Sequence, residues 1–300
     1  MPAGSRITFI INPISGGVSP DAARARAELA SAIVDRHGDP AEVFVTERQG
    51  HARELTRAAV ARGARLVMAW GGDGTINEVA SALVFGEVPL GIVPAGSGNG
   101  LARQLAISQK PEEAIRQAIA AEPRRIDVGE IGDRLFVNVA GIGFDAYVAS
   151  KFSDASNRRR GFVSYASIAG RALMTYESGR YSIGVGKDAE PSAPVRAVLI
   201  TVANSPEFGN GAIIAPGARV DDGLLDLVVM EEQSRLSTIV QLPRLFQGSV
   251  DRAPGCSIRR IARATIESDQ PMPYHVDGEP VSGGTSLKVR IHPGALYVAV

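Results

Sequence analysis

The sequence predicts two domains: an α/β domain with a parallel sheet, followed by a mainly antiparallel β-sandwich with helical insertions. The first hundred residues alternate short apolar runs with amphipathic helical patterns, which indicates strands joined by right-handed crossovers. After Pro123 the apolar runs are short and separated by turn residues, which favours antiparallel strands. We place the first domain at 1–123 and the second at 124–294, each long enough to bury a core.

Composition limits the classes of partner and the compartment. The chain has 32 basic and 32 acidic residues, so no excess of positive charge favours nucleic acid as the main partner. A single cysteine, Cys256, rules out an internal disulfide and fits a reducing compartment. The sequence contains no signal-peptide pattern and no apolar run of membrane-spanning length. We therefore expect a cytoplasmic protein that contacts a membrane at most from its surface.

In the first domain, strands are predicted at 7–11, 43–45, 66–70 and 90–93. Ser19 followed by Pro20 predicts the start of the first helix. The expected buried face of that helix comprises Ala22, Ala25, Leu29, Ala32 and Ile33. Polar or glycine-rich loops follow all four strands, and the carboxyl ends of parallel strands share one edge of a sheet. We expect the four loops to converge there and to hold a ligand.

The stretch 66–83 carries the strongest local signal. A buried strand leads into the glycine-rich loop 71–75 (GGDGT), and apolar residues then recur at helical spacing. Thr75 and Glu78 have the spacing of a capping box, which predicts where the helix begins. Backbone N–H groups at such a junction favour a phosphate, although glycines alone are equally consistent with a tight turn. Asp73 favours the ligand, because a carboxylate beside a phosphate needs a metal ion or a donor.

Four loop sequences resemble those of one known family. NPISGG, VTERQGHARE, GGDGTINEV and PAGSGNGLAR are similar to loops of the diacylglycerol kinase catalytic family, which includes bacterial lipid kinases and sphingosine kinases. That family is distantly related to NAD kinases and phosphofructokinases, so the resemblance implies their α/β fold and a return of residues 295–300 to the first domain. It also implies that ATP is held by Asn12, Thr46, Gly71, Gly72, Asp73, Gly74, Thr75, Asn77, Glu78, Ser97, Gly98 and Asn99.

Two features qualify this nucleotide site. Many relatives carry a basic residue in the first loop, whereas this chain has Gly17 and no lysine or arginine beside Ser15. The residue that balances the charge of the nucleotide is therefore left open. Asn12 and Asn99 are also common turn residues, so a purely structural role is an alternative for both.

The second domain is predicted to start with a hairpin at Gly132-Asp133. Helical spacing predicts an insertion at 161–174 and a second at 236–246, which Pro243 should break. The basic cluster Arg158-Arg159-Arg160 suits either an anionic membrane surface or a solvated turn. Strands are predicted at 135–139, 181–185, 195–202, 224–230, 258–266 and 287–291.

An acidic segment at 221–226 (DDGLLD) also matches the family. By itself it indicates an Asp-Gly turn that enters a strand. The resemblance implies a structural Mg²⁺ there, bound by the Asp222 side chain and by carbonyl oxygens of Arg219 and Leu224. Carboxylate and carbonyl oxygens are ligands that such a hard cation prefers.

The segment 275–280 (HVDGEP) matches the family's catalytic segment. Phosphoryl transfer to an alcohol requires that the hydroxyl be positioned and its proton accepted. The resemblance implies that Glu279, or Asp277 beside it, accepts this proton, while Asp73 acts on the nucleotide–metal side. The sequence leaves open which of the two carboxylates is the base.

The resemblance thus implies an ATP- and Mg²⁺-dependent lipid kinase that acts at a membrane surface, on diacylglycerol or on a sphingoid or phosphatidylglycerol-type lipid. Matches at 136–145 (FVNVAGIGFD) and 204–216 extend it over most of the chain. One alternative is a NAD kinase or another small-molecule kinase, although the acceptor segment of NAD kinases (T-A-Y…S-A-G-G) is not found. A non-catalytic nucleotide-binding membrane module is a second alternative, against which the three carboxylates argue. Relatives often dimerise, so a homodimer is consistent with the family.

Overall fold

The computed structural model describes residues 6–16, 20–154, 170, 172, 175–187, 189–209 and 211–300. The chain divides into two compact units. The first comprises the chain up to Ile126 together with Gly294–Val300, and the second comprises Asp127–Pro293. The last residues of the chain therefore belong to the first unit.

The first unit is built on a parallel sheet, as the alternation of strand and helix patterns predicts. Its strands are β1 (Arg6–Ile11), β2 (Ala41–Val45), β3 (Ala64–Gly71) and β4 (Leu90–Pro94). They lie in the order β2–β1–β3–β4, and every neighbouring pair is parallel. The near-continuous apolar runs of β1 and β3 are buried, as expected for a parallel sheet with helices on its faces.

In the described part of this unit, five helices connect these strands or follow them. They are α1 (Pro20–His37), α2 (His51–Ala61), α3 (Asp73–Leu83), α4 (Gly100–Gln104) and α5 (Pro111–Ala120). The start of α1 at Pro20 agrees with the prediction, whereas Ser19 lies outside the described residues. A proline at the first position of a helix needs no N–H partner, and its fixed φ suits the helical backbone.

The buried face of α1 differs from the predicted one. Ile33 is buried as expected, but Ala25 and Ala32 are exposed. The other buried residues of α1 are instead Ala23, Ala30 and Val34. Alanine occurs on several sides of this helix, so apolar spacing alone does not distinguish the side that packs against the sheet.

The second unit is mainly antiparallel, as the short strands separated by turns predict. Two strands belong to both units, because β5 (Arg124–Ile131) continues past Ile126 and β17 (Ser286–Val298) continues past Pro293. The strands between them are β6 (Arg134–Phe136), β7 (Val139–Gly143), β8 (Gly179–Val185), β9 (Val195–Ala203), β10 (Glu207–Gly209), β11 (Ala212–Ile213), β12 (Leu225–Glu231), β13 (Cys256–Ile261), β14 (Arg263–Glu267), β15 (Tyr274–Val276) and β16 (Glu279–Val281). The main order is β16–β15–β7–β9–β8–β14–β17, with β12 on β9 and β13 on β12.

Two predicted strands of this unit are each divided in the structure. The run 258–266 forms β13 and β14, which pair with β12 and with β17 respectively. The run 135–139 is divided because β6 pairs with β5, whereas β7 lies between β15 and β9. A continuous apolar run does not reveal that the chain changes its pairing partner, because partners are chosen by tertiary packing.

The described helices of the second unit are α6 (Phe144–Asp154), α7 (Arg235–Gln241) and α8 (Pro243–Phe246), with a 3₁₀ turn at Val250–Arg252. The break between α7 and α8 confirms the prediction made from Pro243. The predicted helix 161–174, apart from residues 170 and 172, and the basic cluster Arg158–Arg160 lie outside the described residues. Among the helices that are described, none has the length and apolarity needed to cross a bilayer.

Candidate active site

The loops that follow the four parallel strands begin at one edge of the sheet. Asn12 N–H donates to the Trp70 carbonyl at 2.9 Å, and Thr46 N–H donates to the last carbonyl of β1 at 2.8 Å. In the same way Ala95 N–H donates to the Gly71 carbonyl at 2.8 Å. These bonds align the starts of the loops at the carboxyl ends of the strands, where open parallel sheets bind ligands.

The helix after the glycine-rich loop begins earlier than the capping-box spacing predicts. α3 starts at Asp73 with Gly72 as its N-cap, so the prediction that Thr75 and Glu78 cap this helix is wrong. The Glu78 carboxylate instead accepts two backbone N–H groups at the start of α2, at 2.7 and 3.0 Å. Glu78 is buried against α2 and therefore caps the neighbouring helix rather than its own.

Close backbone packing explains the glycines of this edge. A Cβ at Gly71 would collide with the side chain of Thr75. A Cβ at Gly96 would lie 2.7 Å from the Gly72 Cα, closer than real Cβ atoms approach a backbone. The loops after β3 and β4 therefore touch through their main chains, and glycine at these positions serves both a tight turn and a close approach to a ligand.

Asp73 joins the loop after β3 to the loop after β4. Its Oδ2 accepts the N–H of Asn99 and its Oδ1 accepts that of Gly100, each at 3.0 Å. The start of α4 thus supplies the donors that this carboxylate requires. Asn99 adopts φ 53°, and its Oδ1 accepts the Gly96 N–H at 2.9 Å. Each carboxylate oxygen has two lone pairs, so Asp73 can hold a backbone donor and a cation together.

The loop after β1 is tied to the start of α3. Asn12 Nδ2 donates to Thr75 Oγ1 at 2.9 Å, while its Oδ1 accepts the N–H of Ile14 at 3.1 Å. Gly72 N–H donates to Ser15 Oγ at 3.3 Å. The structure therefore brings residues of the first, third and fourth predicted loops together. Of the other predicted nucleotide residues, Thr46 and Asn77 are buried, Gly74 and Gly98 are half-buried and Ser97 is exposed.

Arg26 is a residue of this edge that sequence analysis missed. From α1 its Nη1 donates to the Asn12 carbonyl at 3.0 Å and its Nη2 donates to the Ser15 carbonyl at 2.9 Å. Burial lowers the pKa of Arg26, although a guanidinium stays protonated in proteins. The positive charge absent from the sequence of the first loop therefore reaches it from the following helix. No local motif marks this contact, since Arg26 and Asn12 are separated by a turn and by the start of α1.

In the second unit, Asp277 lies in the turn between β15 and β16. It is 5 % exposed and has φ 48°, followed by Gly278 at φ 85°. Its Oδ2 accepts the N–H of Val137, and its Oδ1 accepts the next two backbone N–H groups, all at 2.9 Å. Asp277 thus organises the backbone that leads into β7. A group so buried is poorly placed to meet a substrate hydroxyl.

Glu279 has a different environment from Asp277, although one residue separates them. It is the first residue of β16, opposite Val276, and is half-buried. Of the two carboxylates that the sequence leaves open as the base, Glu279 is the more accessible. The geometry therefore favours Glu279.

The residues predicted to bind a structural Mg²⁺ form a salt-bridged turn. Asp222 Oδ1 accepts the Leu224 N–H at 3.1 Å, and Asp222 Oδ2 contacts the guanidinium of Arg260. Arg219 pairs with Asp221 at 3.4 Å. In this arrangement Arg260 balances the Asp222 charge, and the Mg²⁺ site stays a prediction. In the described part of the chain, no three His, Cys, Asp or Glu side chains are grouped so as to hold a metal ion.

A cavity of about 260 Å³ lies beside β7 and α6 in the second unit. Burial raises the pKa values of Tyr176 and Tyr181 in its wall, so both hydroxyls stay protonated near neutral pH. The sequence did not predict the cavity, because its walls come from distant segments. Its lining has an apolar and aromatic part, Ile142, Ala146, Tyr147, Tyr176, Tyr181 and Met272, and a polar part, Ser150, Glu177, Arg180, Ser268, Asp269 and Gln270.

Comparison with protein families gives two matches that together span most of the chain. Residues 6–131 match the model of the diacylglycerol kinase catalytic domain. Residues 138–300 match the model of the YegS C-terminal NAD kinase beta sandwich-like domain. The two matches follow the order of the α/β unit and the β-rich unit.

Similar proteins agree with these matches. A protein of Chromohalobacter salexigens named as a probable lipid kinase YegS-like is 32 % identical over 86 % of this chain and 83 % of its own length. A protein of Pseudomonas aeruginosa with the same name is 32 % identical over 85 % of this chain and 83 % of its own.

Solved structures share the fold at lower sequence identity. A diacylglycerol kinase from Bacillus anthracis has a TM-score of 0.72 and 19 % identity, covering 98 % of this chain and 96 % of its own. A NAD kinase from Archaeoglobus fulgidus, solved in complex with ATP, has a TM-score of 0.57 and 13 % identity, covering 98 % and 93 %.

Proposed function

This chain belongs to the diacylglycerol kinase catalytic family, and on that premise we propose that it is an ATP-dependent kinase whose acceptor is the hydroxyl group of a membrane lipid. The observation that carries the lipid assignment is the cavity beside β7 and α6, in which apolar and aromatic residues stand beside polar side chains such as Glu177 and Arg180. The apolar part of the lining suits hydrocarbon, because burial of apolar surface stabilises a complex by about 25 cal/mol per Å². The polar part suits a head group that carries a hydroxyl.

The nucleotide is assigned to the edge formed by the loops after β1, β3 and β4. Support comes from the helix N-terminus at Asp73, which directs backbone N–H groups and a positive dipole towards an anion. Arg26 adds a fixed positive charge beside the first loop. A divalent cation bound with the triphosphate supplies charge neutralisation. Asp73 is the carboxylate that we assign to that side.

Glu279 is assigned as the general base of the transfer. The acceptor oxygen attacks the γ-phosphorus, and the hydroxyl proton passes to the Glu279 carboxylate. The bond between the γ-phosphorus and the bridging oxygen breaks, and ADP leaves with that electron pair. Asp277 holds the turn that carries Glu279, since its own oxygens accept three backbone N–H groups.

The test offers radiolabelled ATP and Mg²⁺ to the purified protein with a panel of acceptors. The panel contains diacylglycerol, phosphatidylglycerol, ceramide and a sphingoid base in mixed micelles, with NAD and hexoses in parallel reactions. We expect label in at least one lipid and none in NAD or sugar. Label in NAD or a sugar alone would overturn the lipid assignment.

Glu279→Gln in the same assay separates catalysis by this protein from that of a contaminating kinase. Label that persists at the wild-type rate in this variant would remove Glu279 from the mechanism. A second series without Mg²⁺ tests the requirement for a cation on the nucleotide, and we expect it to abolish transfer.

A further inference from the structure

Three strand positions in register carry a buried polar cluster in the second unit. His275 on β15 lies opposite Gly141 on β7, and Gly141 lies opposite Thr201 on β9. The glycine leaves space above the middle strand, and the carboxylate of Asp145 occupies it. A Cβ at Gly141 would overlap this carboxylate and approach His275 Nε2. His275, Asp145 and Thr201 are 4 %, 6 % and 0 % exposed, so the whole cluster is buried in the interior of the unit.

The contacts of the cluster define which tautomer the histidine adopts. His275 Nδ1 accepts the N–H of Gly278 at 3.3 Å, so the ring proton resides on Nε2. Nε2 lies 3.4 Å from Asp145 Oδ2, which also accepts the Thr201 hydroxyl at 3.3 Å. Asp145 Oδ1 accepts the N–H of Ala146 at 2.8 Å. The charge of this carboxylate favours the ring orientation in which Nε2–H faces Asp145 and Nδ1 faces the turn.

The two nitrogens of His275 thus contact two parts of the candidate site. Gly278 lies between Asp277 and Glu279, so Nδ1 contacts the backbone of the turn that carries the assigned base. Asp145 is in the first turn of α6, and its neighbour Ala146 lines the cavity. Through a single ring, the acidic turn is connected to the wall of the cavity assigned to the acceptor.

We propose that His275 is a positioning residue for phosphoryl transfer, which fixes the Gly278 backbone and thereby sets Glu279 relative to the acceptor cavity. The inference rests on the proposed role of Glu279 as the base. Displacement of a reacting group by about 1 Å lowers a rate by roughly 100-fold, so anchoring the turn matters for turnover. Asp145 assists by holding the ring in the required tautomer.

A purely structural role is the alternative. In that case the cluster only satisfies buried polar groups, and loss of either contact of His275 lowers stability without a specific effect on turnover. The two roles differ in one testable respect. If His275 positions the turn, turnover depends on the contact between Nδ1 and the turn. If the cluster is purely structural, stability depends on both contacts of His275 alike.

Two substitutions at His275 separate the contacts. In His275→Asn the side-chain oxygen can take the place of Nδ1 and accept the Gly278 N–H, while the contact with Asp145 is lost. In His275→Gln the longer side chain reaches Asp145, but an acceptor at the Nδ1 position is lost. The variants are matched in polarity and hydrogen-bonding groups, and they differ in which end of the imidazole they replace.

Steady-state kinetics with the best lipid of the panel is the first readout. We expect His275→Asn to keep kcat within about three-fold of wild type and His275→Gln to lower kcat by about 10- to 100-fold, with KM for ATP unchanged in both. Equal kcat values in the two variants, whether both normal or both reduced, would overturn the proposal. Glu279→Gln measured in parallel distinguishes failure of this inference from failure of the proposed base.

Amide hydrogen exchange of the peptide 274–282, followed by mass spectrometry on the full chain, is the second readout. We expect faster exchange in His275→Gln and wild-type protection in His275→Asn, because protection reports the anchored turn directly. The same slow exchange in both variants would overturn the proposal independently of activity.

If either His275 variant fails to fold, Asp145→Asn tests the same link. Its amide retains the size of the side chain but can donate to Nε2, which moves the ring proton to Nδ1 and removes the acceptor for the Gly278 N–H. We expect faster exchange at 274–282 and a 3- to 10-fold lower kcat (about 0.6 to 1.4 kcal/mol in barrier). Unchanged exchange with unchanged kcat would overturn the proposal.

Discussion

The glycine-rich loop of the first unit and the acidic turn of the second both contain an aspartate followed by a glycine, yet the two aspartates are held differently. Asp73 is half-buried and accepts two N–H groups at the start of a short helix. Asp277 is buried, has a positive φ and accepts three consecutive N–H groups that lead into β7. The first aspartate joins two loops at the edge to which we assign the nucleotide, whereas the second supports a turn from the interior.

The difference shows that a carboxylate in a family motif can have one of two roles. It can take part in the reaction, or it can hold in place another residue that takes part. The number and burial of its backbone donors help to distinguish the two roles, because a buried carboxylate with its oxygens on amides has little access to substrate. This criterion favours a structural role for Asp277 and supports Glu279 as the base that we propose. For Asp73 we propose both roles. The following substitutions test this distinction in order of expected effect.

Glu279→Gln should have the largest effect on turnover. Loss of a general base typically lowers kcat by about 10²- to 10⁴-fold, while a half-buried residue at a strand edge adds little to stability. We expect this fall in kcat with a melting temperature within about 2 °C of wild type. Turnover is measured with radiolabelled ATP and melting by circular dichroism. A kcat within three-fold of wild type would place the base elsewhere.

Asp277→Asn should have the largest effect on stability. An amide offers one acceptor oxygen where the carboxylate offers two, and its NH₂ group opposes a backbone N–H. Hydrogen bonds to buried charged groups are worth about 1.5–3 kcal/mol each, so we expect the free energy of unfolding to fall by about 2–4 kcal/mol. Urea unfolding measures this free energy.

The matched control is Asp133→Asn, because the Asp133 side chain is exposed in a hairpin turn. We expect this control to unfold like wild type. An Asp277→Asn protein as stable as the control would contradict the structural role of Asp277.

Asp73→Asn should affect both properties to an intermediate degree. The two N–H groups at the start of α4 lose a charged acceptor, which lowers stability by about 1–2 kcal/mol. Loss of the charge at the nucleotide edge should lower kcat/KM for ATP by at least 10-fold. The measurement is kcat/KM at saturating lipid, on protein whose folding is verified by its melting curve. A value within a few-fold of wild type would contradict the assignment of the loop.

Glu78→Gln should have the smallest effect of the four. Glu78 caps α2, and an N-cap interaction contributes about 1–2 kcal/mol to stability. Glu28→Gln is the matched control, since Glu28 is an exposed helical glutamate of the same unit that pairs with Arg24 on the surface. In urea unfolding we expect a lower free energy of unfolding for Glu78→Gln than for wild type. We expect Glu28→Gln and wild type to have the same value. Coincidence of all three would contradict the capping role.

Local patterns predicted the elements that depend on neighbouring residues. The strands of the parallel sheet, the start of α1 at Pro20 and the break at Pro243 follow from apolar spacing and from the missing N–H of proline. The family resemblance was recognised from the loops after four strands, and similar proteins support it. Spacing alone failed at α3, because the Glu78 carboxylate reaches another helix instead of its own N-terminus.

The sequence by itself determined the α/β and antiparallel classes of the two units, the family and the candidate loops, because strand and helix periodicities and glycine-rich turns are encoded over a few residues. Only the tertiary structure decided which groups each polar side chain meets. The contacts of Arg26 with Ser15, of Asp277 with Val137 and of Asp145 with His275 each join different segments of the chain. Such contacts depend on strand order and register, which bring chemical groups together without a local motif.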